Sequence, residues 1–184
     1  MDKVLIIIGD SAEALDTMYP YFQAQEDGFH AVVAGPERRT YHLVMHKVPP
    51  GWDLTRESPS YHLASDTAFR DVDPQQNAGL FLTGGRAPEY LRYDEDLLKF
   101  VRGFLEKPKP VAVVCHGAGI VAAADVIRGR RMAAVPKCRF DIAVCGATFV
   151  NEGVRDGNMV SARTWHDNAL YVREFMQMLK EART

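Results

Sequence analysis

A chain of 184 residues fits one domain and can bury a substantial core. Hydrophobic residues at 47%, charged residues at 25% and a net charge of −2, without a basic stripe, exclude a nucleic-acid surface, and no apolar run is long enough to span a membrane. Three cysteines (115, 138 and 145) and an opening apolar run too short for a signal-peptide core point to a reducing, cytoplasmic setting rather than a disulfide framework.

Taken in chain order, Val4 to Ile8 reads as a buried first strand that stops at Gly9-Asp10. Glu13 to Glu26 is helix-like, with Pro20 kinking it or marking its true first turn and Gly28 closing it. His30 to Ala34 is a second strand. The stretch from Pro36 to Pro74, with five prolines, three histidines and Trp52, is too long for a plain connection. It reads as a hairpin, with Tyr41 to Lys47 as one arm, plus a loop that covers the site or forms a subunit contact. Ala78 to Thr83 is a third strand, ending at Gly84-Gly85. Asp94 to Glu106 carries a helical stripe of Leu97, Leu98, Val101 and Leu105. Pro110 to Val114 is a strand leading into Cys115, and Gly117 to Arg128 is the helix behind it. The basic run Arg128 to Arg131 reads as a solvated loop. Short strands at Ala147–Val150 and Met159–Ala162 precede a last helix, Asn168 to Arg183, that buries Leu170, Val172, Phe175, Met176 and Leu179.

Short apolar strands alternating with helices imply an α/β fold with a mostly parallel sheet covered on both faces. Working sites in such sheets lie at the carboxyl ends of the strands. The three polar or glycine-rich strand ends, at Gly9-Asp10, Gly84-Gly85 and Cys115-His116, are therefore expected to converge.

Cys115 stands on a strand–turn–helix junction, where a helix N-terminus favours thiolate over thiol. His116 beside it is a base or cation for the same chemistry. Buried cysteines elsewhere are usually inert, which is the reading for Cys138 and Cys145. Residue 116 cannot easily fold back onto its neighbour from a tight turn, so its orientation should come from elsewhere. Gly84 and Gly85 would let a substrate approach the backbone, and with the His116 N–H and Gly117 they offer an oxyanion hole at Cys115.

The segment from Val111 to Ile120, VAVVCHGAGI, resembles the nucleophile elbow of the DJ-1/PfpI superfamily, in its PfpI-like branch with Cys-His-Gly. Gly84-Gly85-Arg86-Ala87-Pro88-Glu89, Tyr19-Pro20-Tyr21, Asp156-Gly157-Asn158 and Ser161-Ala162-Arg163 match the branch at corresponding places. The resemblance covers nearly the whole chain apart from an expanded stretch at Pro36–Ser60. It implies one flavodoxin-like three-layer α/β/α sandwich over residues 1–184, without metal or cofactor, and a homo-oligomer, dimer or hexamer. It implies Cys115 as nucleophile, His116 as its partner, and Glu89 in a Cys-His-Glu triad completed across a subunit interface. Asp16 is the departure, because the superfamily usually has a glutamate there that hydrogen-bonds the sulfur. Either Asp16 still reaches the thiol, or Glu13 or Asp10 substitutes, or the activity differs. The isocyanide hydratase branch has aspartate here, with threonine after its cysteine where this chain has His116.

The resemblance implies a cysteine-dependent hydrolase or lyase acting on small reactive carbonyls or their adducts, glyoxalase- or deglycase-like. Its alternatives are an intracellular cysteine peptidase, an isocyanide-hydratase-like enzyme, or a redox-sensing, chaperone-like stress protein in which Cys115 is oxidised. Two further patterns weigh less. Gly117 to Ala122 matches a dinucleotide fingerprint with Asp141 at the acid's spacing, but lacks the clear following strand. His42, His46 and His62 could gather zinc, yet Tyr41 to His46 alternates as a strand and no acid completes the set.

Overall fold

The computed structural model describes residues 1–183. β1 (Lys3–Ile7) leads through α1 (Ala14–Glu26) to β2 (His30–Gly35), then to β3 (Thr40–Lys47), β4 (Arg56–Ala64) and the short β5 (Thr67–Ala68). β6 (Asn77–Leu82), α2 (Ala87–Leu91), α3 (Glu95–Glu106) and β7 (Val111–Val114) follow. α4 (Ala118–Ala123), β8 (Arg131–Ala133), α5 (Arg139–Val144) and β9 (Thr148–Val150) come next. β10 (Val154–Asp156), β11 (Met159–Ala162) and α6 (Asn168–Glu181) close the chain.

The main sheet runs β10-β11-β7-β6-β1-β2-β5, parallel throughout except for the antiparallel β10–β11 hairpin. Its central strands are buried along nearly their whole length, as strands covered on both faces must be. α1 and α6 pack together, joined by Asn168 Nδ2 donating to the Leu15 carbonyl at 3.1 Å, while α2 to α5 form the other helix group. Because β7, β6 and β1 are neighbours, their carboxyl ends bring Cys115, Gly84-Gly85 and Gly9-Asp10 to one edge, as expected from the sequence.

Outside the sheet, β3 and β4 form a long hairpin, with a register shift opposite Leu43 near Pro59, a place where a strand tolerates proline. β8 and β9 form a separate parallel pair. Three expectations are corrected. Pro20 lies inside α1 rather than marking its first turn, and it cannot donate to the Asp16 carbonyl. The helix behind Cys115 stops at Ala123 rather than Arg128, because Asp125 turns left-handed at φ 55°, a conformation aspartate tolerates. Leu170 is 68% exposed: the buried stripe of α6 runs through Tyr171, Val172, Phe175, Met176 and Leu179, and Leu170 lies off it.

Phe175 packs edge-on against Phe81 at 5.7 Å, fully buried. Phe175→Ala should therefore cost about 3–5 kcal/mol, whereas Leu170→Ala should stay within about 0.5 kcal/mol. Urea denaturation of the two variants measures the contrast.

Candidate active site

Cys115 takes φ 56°, the left-handed region, where the chain turns from β7 into a short 3-10 turn (Cys115–Gly117) and then α4. The turn fits because Gly117 has no side chain: a Cβ there would lie 3.0 Å from the carbonyl oxygens of Leu82 and Thr83. Gly117 thus has a packing role beside the substrate-binding role expected of it. The thiol is 6% exposed. Burial pushes its pKa up, and the nearby Asp16 carboxyl pushes it further. The N–H groups of His116 and Gly85 face the sulfur and pull the other way, less strongly. Burial thus opposes the thiolate that the junction with the six-residue α4 was expected to favour.

Asp16 lies in the first turn of α1, fully buried, with neither carboxylate oxygen hydrogen-bonded in good geometry. Burial holds its pKa well up, the charge of Glu13 adds to this, and the approaching Gly84 N–H opposes both. The shorter carboxylate still ends beside the thiol. A Cβ on Gly84 would strike Asp16 Oδ2 while lying 2.6 Å from Cys115 Cβ and 3.4 Å from its Sγ. The other two acids are engaged elsewhere. Glu13 Oε2 accepts the Asp16 N–H at 2.8 Å as the N-cap of α1, and Asp10 pairs with Arg39 at 2.7 Å and accepts the His42 N–H at 2.9 Å.

Gly84 is therefore the spacer between acid and thiol. Gly84→Ala should destabilise by about 1–3 kcal/mol through overpacking and should slow alkylation of Cys115 by iodoacetamide. An alanine variant with wild-type stability and labelling rate would contradict this geometry.

His116 Nδ1 stands 3.4 Å from Cys115 Sγ, so the adjacent residue does reach the thiol, contrary to the sequence argument. The left-handed turn at Cys115 is what swings the two side chains together. Burial lowers the pKa of His116, leaving a neutral imidazole that can accept a proton. Glu89, in α2, is 54% exposed and contacts Arg86 Nε at 3.4 Å. No hydrogen bond joins Glu89 to His116 among the described residues.

The neighbourhood also holds residues that sequence reasoning missed as site members. His46 Nε2 lies 3.2 Å from Glu57 Oε2, and Glu57 Oε1 lies 3.4 Å from Arg86 Nη1. His42 Nδ1 instead lies 3.0 Å from His62 Nε2, so the three histidines do not gather, and no cluster of three ligand side chains occurs among the described residues. Asp141 sits in α5, 3.7 Å from Arg92, rather than after a strand as a dinucleotide fold requires. Cys138 is buried, which pushes its thiol up to about 12, and Cys145 faces the Ala122 carbonyl at 3.7 Å.

Comparison with known proteins settles the lineage. The family model described as the DJ-1/PfpI family matches residues 2–178. The chain belongs to the DJ-1/PfpI family. Among relatives within the DJ-1/PfpI family, a deglycase of Pyrococcus abyssi is 34% identical over 179 residues, covering 97% of this chain and 99% of the relative. Deglycase PfpI of Pyrococcus furiosus is 31% identical over 179 residues, with 97% and 99% covered. Of solved structures, a two-domain protein of Anabaena variabilis with DJ-1/ThiJ/PfpI-like and ferritin-like domains superposes with a TM-score of 0.83 at 25% identity. That match covers 98% of this chain and 48% of the other, so the chain spans about half of that protein. The flavodoxin-like DJ-1/PfpI fold expected from the sequence is thus the fold observed. No helix among the described residues is long and apolar enough to cross a membrane.

Proposed function

We propose that this chain is a cysteine-dependent hydrolase or lyase acting on small reactive carbonyls or their adducts, with Cys115 as nucleophile. The observation that carries this reading is the convergence on one sulfur of a buried carboxyl, a neutral imidazole and two backbone N–H groups. The deglycase names of the two Pyrococcus relatives support it.

In the proposed addition, the thiol proton passes to His116 Nδ1 as Sγ bonds to the carbonyl carbon. The displaced C=O pair moves onto oxygen, stabilised by the N–H groups of Gly85 and His116, with Gly84 leaving room for the substrate. The imidazolium then returns the proton to that oxygen, giving a hemithioacetal. With a 2-oxoaldehyde, the proton on the former aldehyde carbon moves to the neighbouring carbon and the hemithioacetal hydroxyl proton moves to that neighbour's oxygen, which yields a thioester. Water hydrolyses it to a 2-hydroxy acid and frees the thiol. Burial raises the pKa of Asp16, and in its protonated form it would donate to the sulfur when the sulfur carries charge.

The test is incubation of the purified protein with methylglyoxal, following its loss and the appearance of lactate. No turnover would sink the reading. Cys-peptidase chemistry is the runner-up, and it needs the Glu89 of a neighbouring subunit to reach His116 across an interface; peptide hydrolysis by a monomer would refute that triad. A single domain and a homo-oligomer, working in the cytoplasm, complete the proposal.

A further inference from the structure

His42 and His62 stand directly opposite each other in the antiparallel register of the β3–β4 hairpin. Residues so placed hold their Cβ atoms about 5 Å apart, so paired strands rather than a flexible loop bring the two rings together. His42 Nδ1 lies 3.0 Å from His62 Nε2, with ring centroids at 4.3 Å and planes at 73°. Both rings are exposed, and neither has another side-chain hydrogen bond among the described residues. His46 differs, being largely buried with its Nε2 against Glu57. Beside the pair, β4 carries one residue more than β3 between the His42–His62 and Val44–Pro59 positions. Such a bulge bends a strand and re-aims its side chains. The two histidines line a cavity of about 340 Å³ together with Asp10, Glu57, Ser58 and Ser60. No lysine or arginine lines it, although Arg39 and Arg86 pair with the two acids.

With no metal, a nitrogen pair at this spacing shares one proton, one ring donating and the other accepting. The same spacing also suits a shared cation. Two nitrogens bound at a right angle to one ion, each at about 2.1 Å, stand about 3.0 Å apart, whereas a tetrahedral angle sets them about 3.4 Å apart. Right-angled nitrogen ligands belong to the tetragonal coordination of Cu(II) and Ni(II), and tetrahedral ones to Zn(II).

We propose that His42 and His62 form a two-histidine site for a tetragonal divalent cation, Cu(II) before Ni(II), with water in the remaining positions. His42 Nδ1 and His62 Nε2 each give a lone pair to the ion. The proton that one ring held between them moves through water to that ring's other nitrogen, so both imidazoles stay neutral. His46 takes no part, so the zinc set of three histidines read from the sequence becomes a pair of different geometry. The site is separate from the Cys115 chemistry and does not depend on it.

The experiment titrates the full chain, free of any affinity tag, with NiCl2 in a calorimeter, because nickel does not oxidise thiols as Cu(II) does. The wild-type chain should bind one Ni(II). His42→Gln and His62→Gln should each raise the dissociation constant at least about tenfold, the lower end of the loss when even a partner behind a ligand is removed. The hairpin ladder runs through the backbone, so both variants should keep the wild-type urea midpoint, and either one carries the test if the other does not fold. One equivalent of Cu(II), frozen at once, should give an axial electron paramagnetic resonance signal split by two nitrogens. Absence of saturable nickel binding, or binding that neither substitution weakens, would overturn the proposal. So would a sulfur-to-copper absorption band, which makes a cysteine the ligand, or zinc binding tighter than nickel, which removes the tetragonal geometry.

Discussion

Cys115→Ser is expected to lower methylglyoxal turnover by at least about 10³-fold, the scale seen when an activated nucleophile is removed. A serine hydroxyl has no accessible anion at neutral pH, and the site that already resists a thiolate resists an alkoxide more. The substitution exchanges one small buried atom, so the urea midpoint should move little. Cys145→Ser, whose sulfur faces the Ala122 carbonyl, serves as the control and should keep full turnover. Steady-state loss of substrate measures both. A serine variant retaining a tenth of the activity would place the chemistry elsewhere.

Asp16→Asn is expected to produce the second large effect, with a pH signature. The fold raises the carboxyl of Asp16 well above its ordinary value of 3.8, chiefly through burial. Between those two values the folded state holds a proton that the unfolded chain has released. Stability from this group is thus fully present below the ordinary value and declines as pH rises towards the folded one. Asparagine does not titrate, so the stability of Asp16→Asn relative to wild type should climb across that window. The slope is at most about 1.4 kcal/mol per pH unit for one proton. Urea titrations at a series of pH values above 4 measure it, and a flat difference would mean that Asp16 ionises freely in the fold. Turnover should meanwhile fall by about 10²-fold or more, because the amide cannot give up a proton to the sulfur as a carboxyl can.

Much of this arrangement was legible in the residues. The apolar runs that form β1, β6 and β7 are continuous because both faces of the sheet are covered, and their glycine or polar ends meet because the strands are neighbours. The elbow at Cys115 was readable from the strand, the small residues and the helix that follow one another there. What could not be read depends on distant chain segments. The hairpin that brings His46 beside Glu13 is stitched by backbone hydrogen bonds, which leave no mark in residue type. The burial of the thiol could not be read either, because it depends on the whole fold rather than on the local junction. The short α4 was hidden because only the backbone angle of Asp125, an ordinary residue in sequence, reveals the stop. The choice among Asp10, Glu13 and Asp16 likewise needed Arg39 and the N-cap of α1, one of them 29 residues away from its partner.

The left-handed backbone at Cys115 sets reactivity against ease of folding. A side chain in that conformation costs about 1–2 kcal/mol that glycine would not pay. A glycine at this position would therefore fold more easily and would leave the pocket between Asp16, Gly85 and His116 without its thiol.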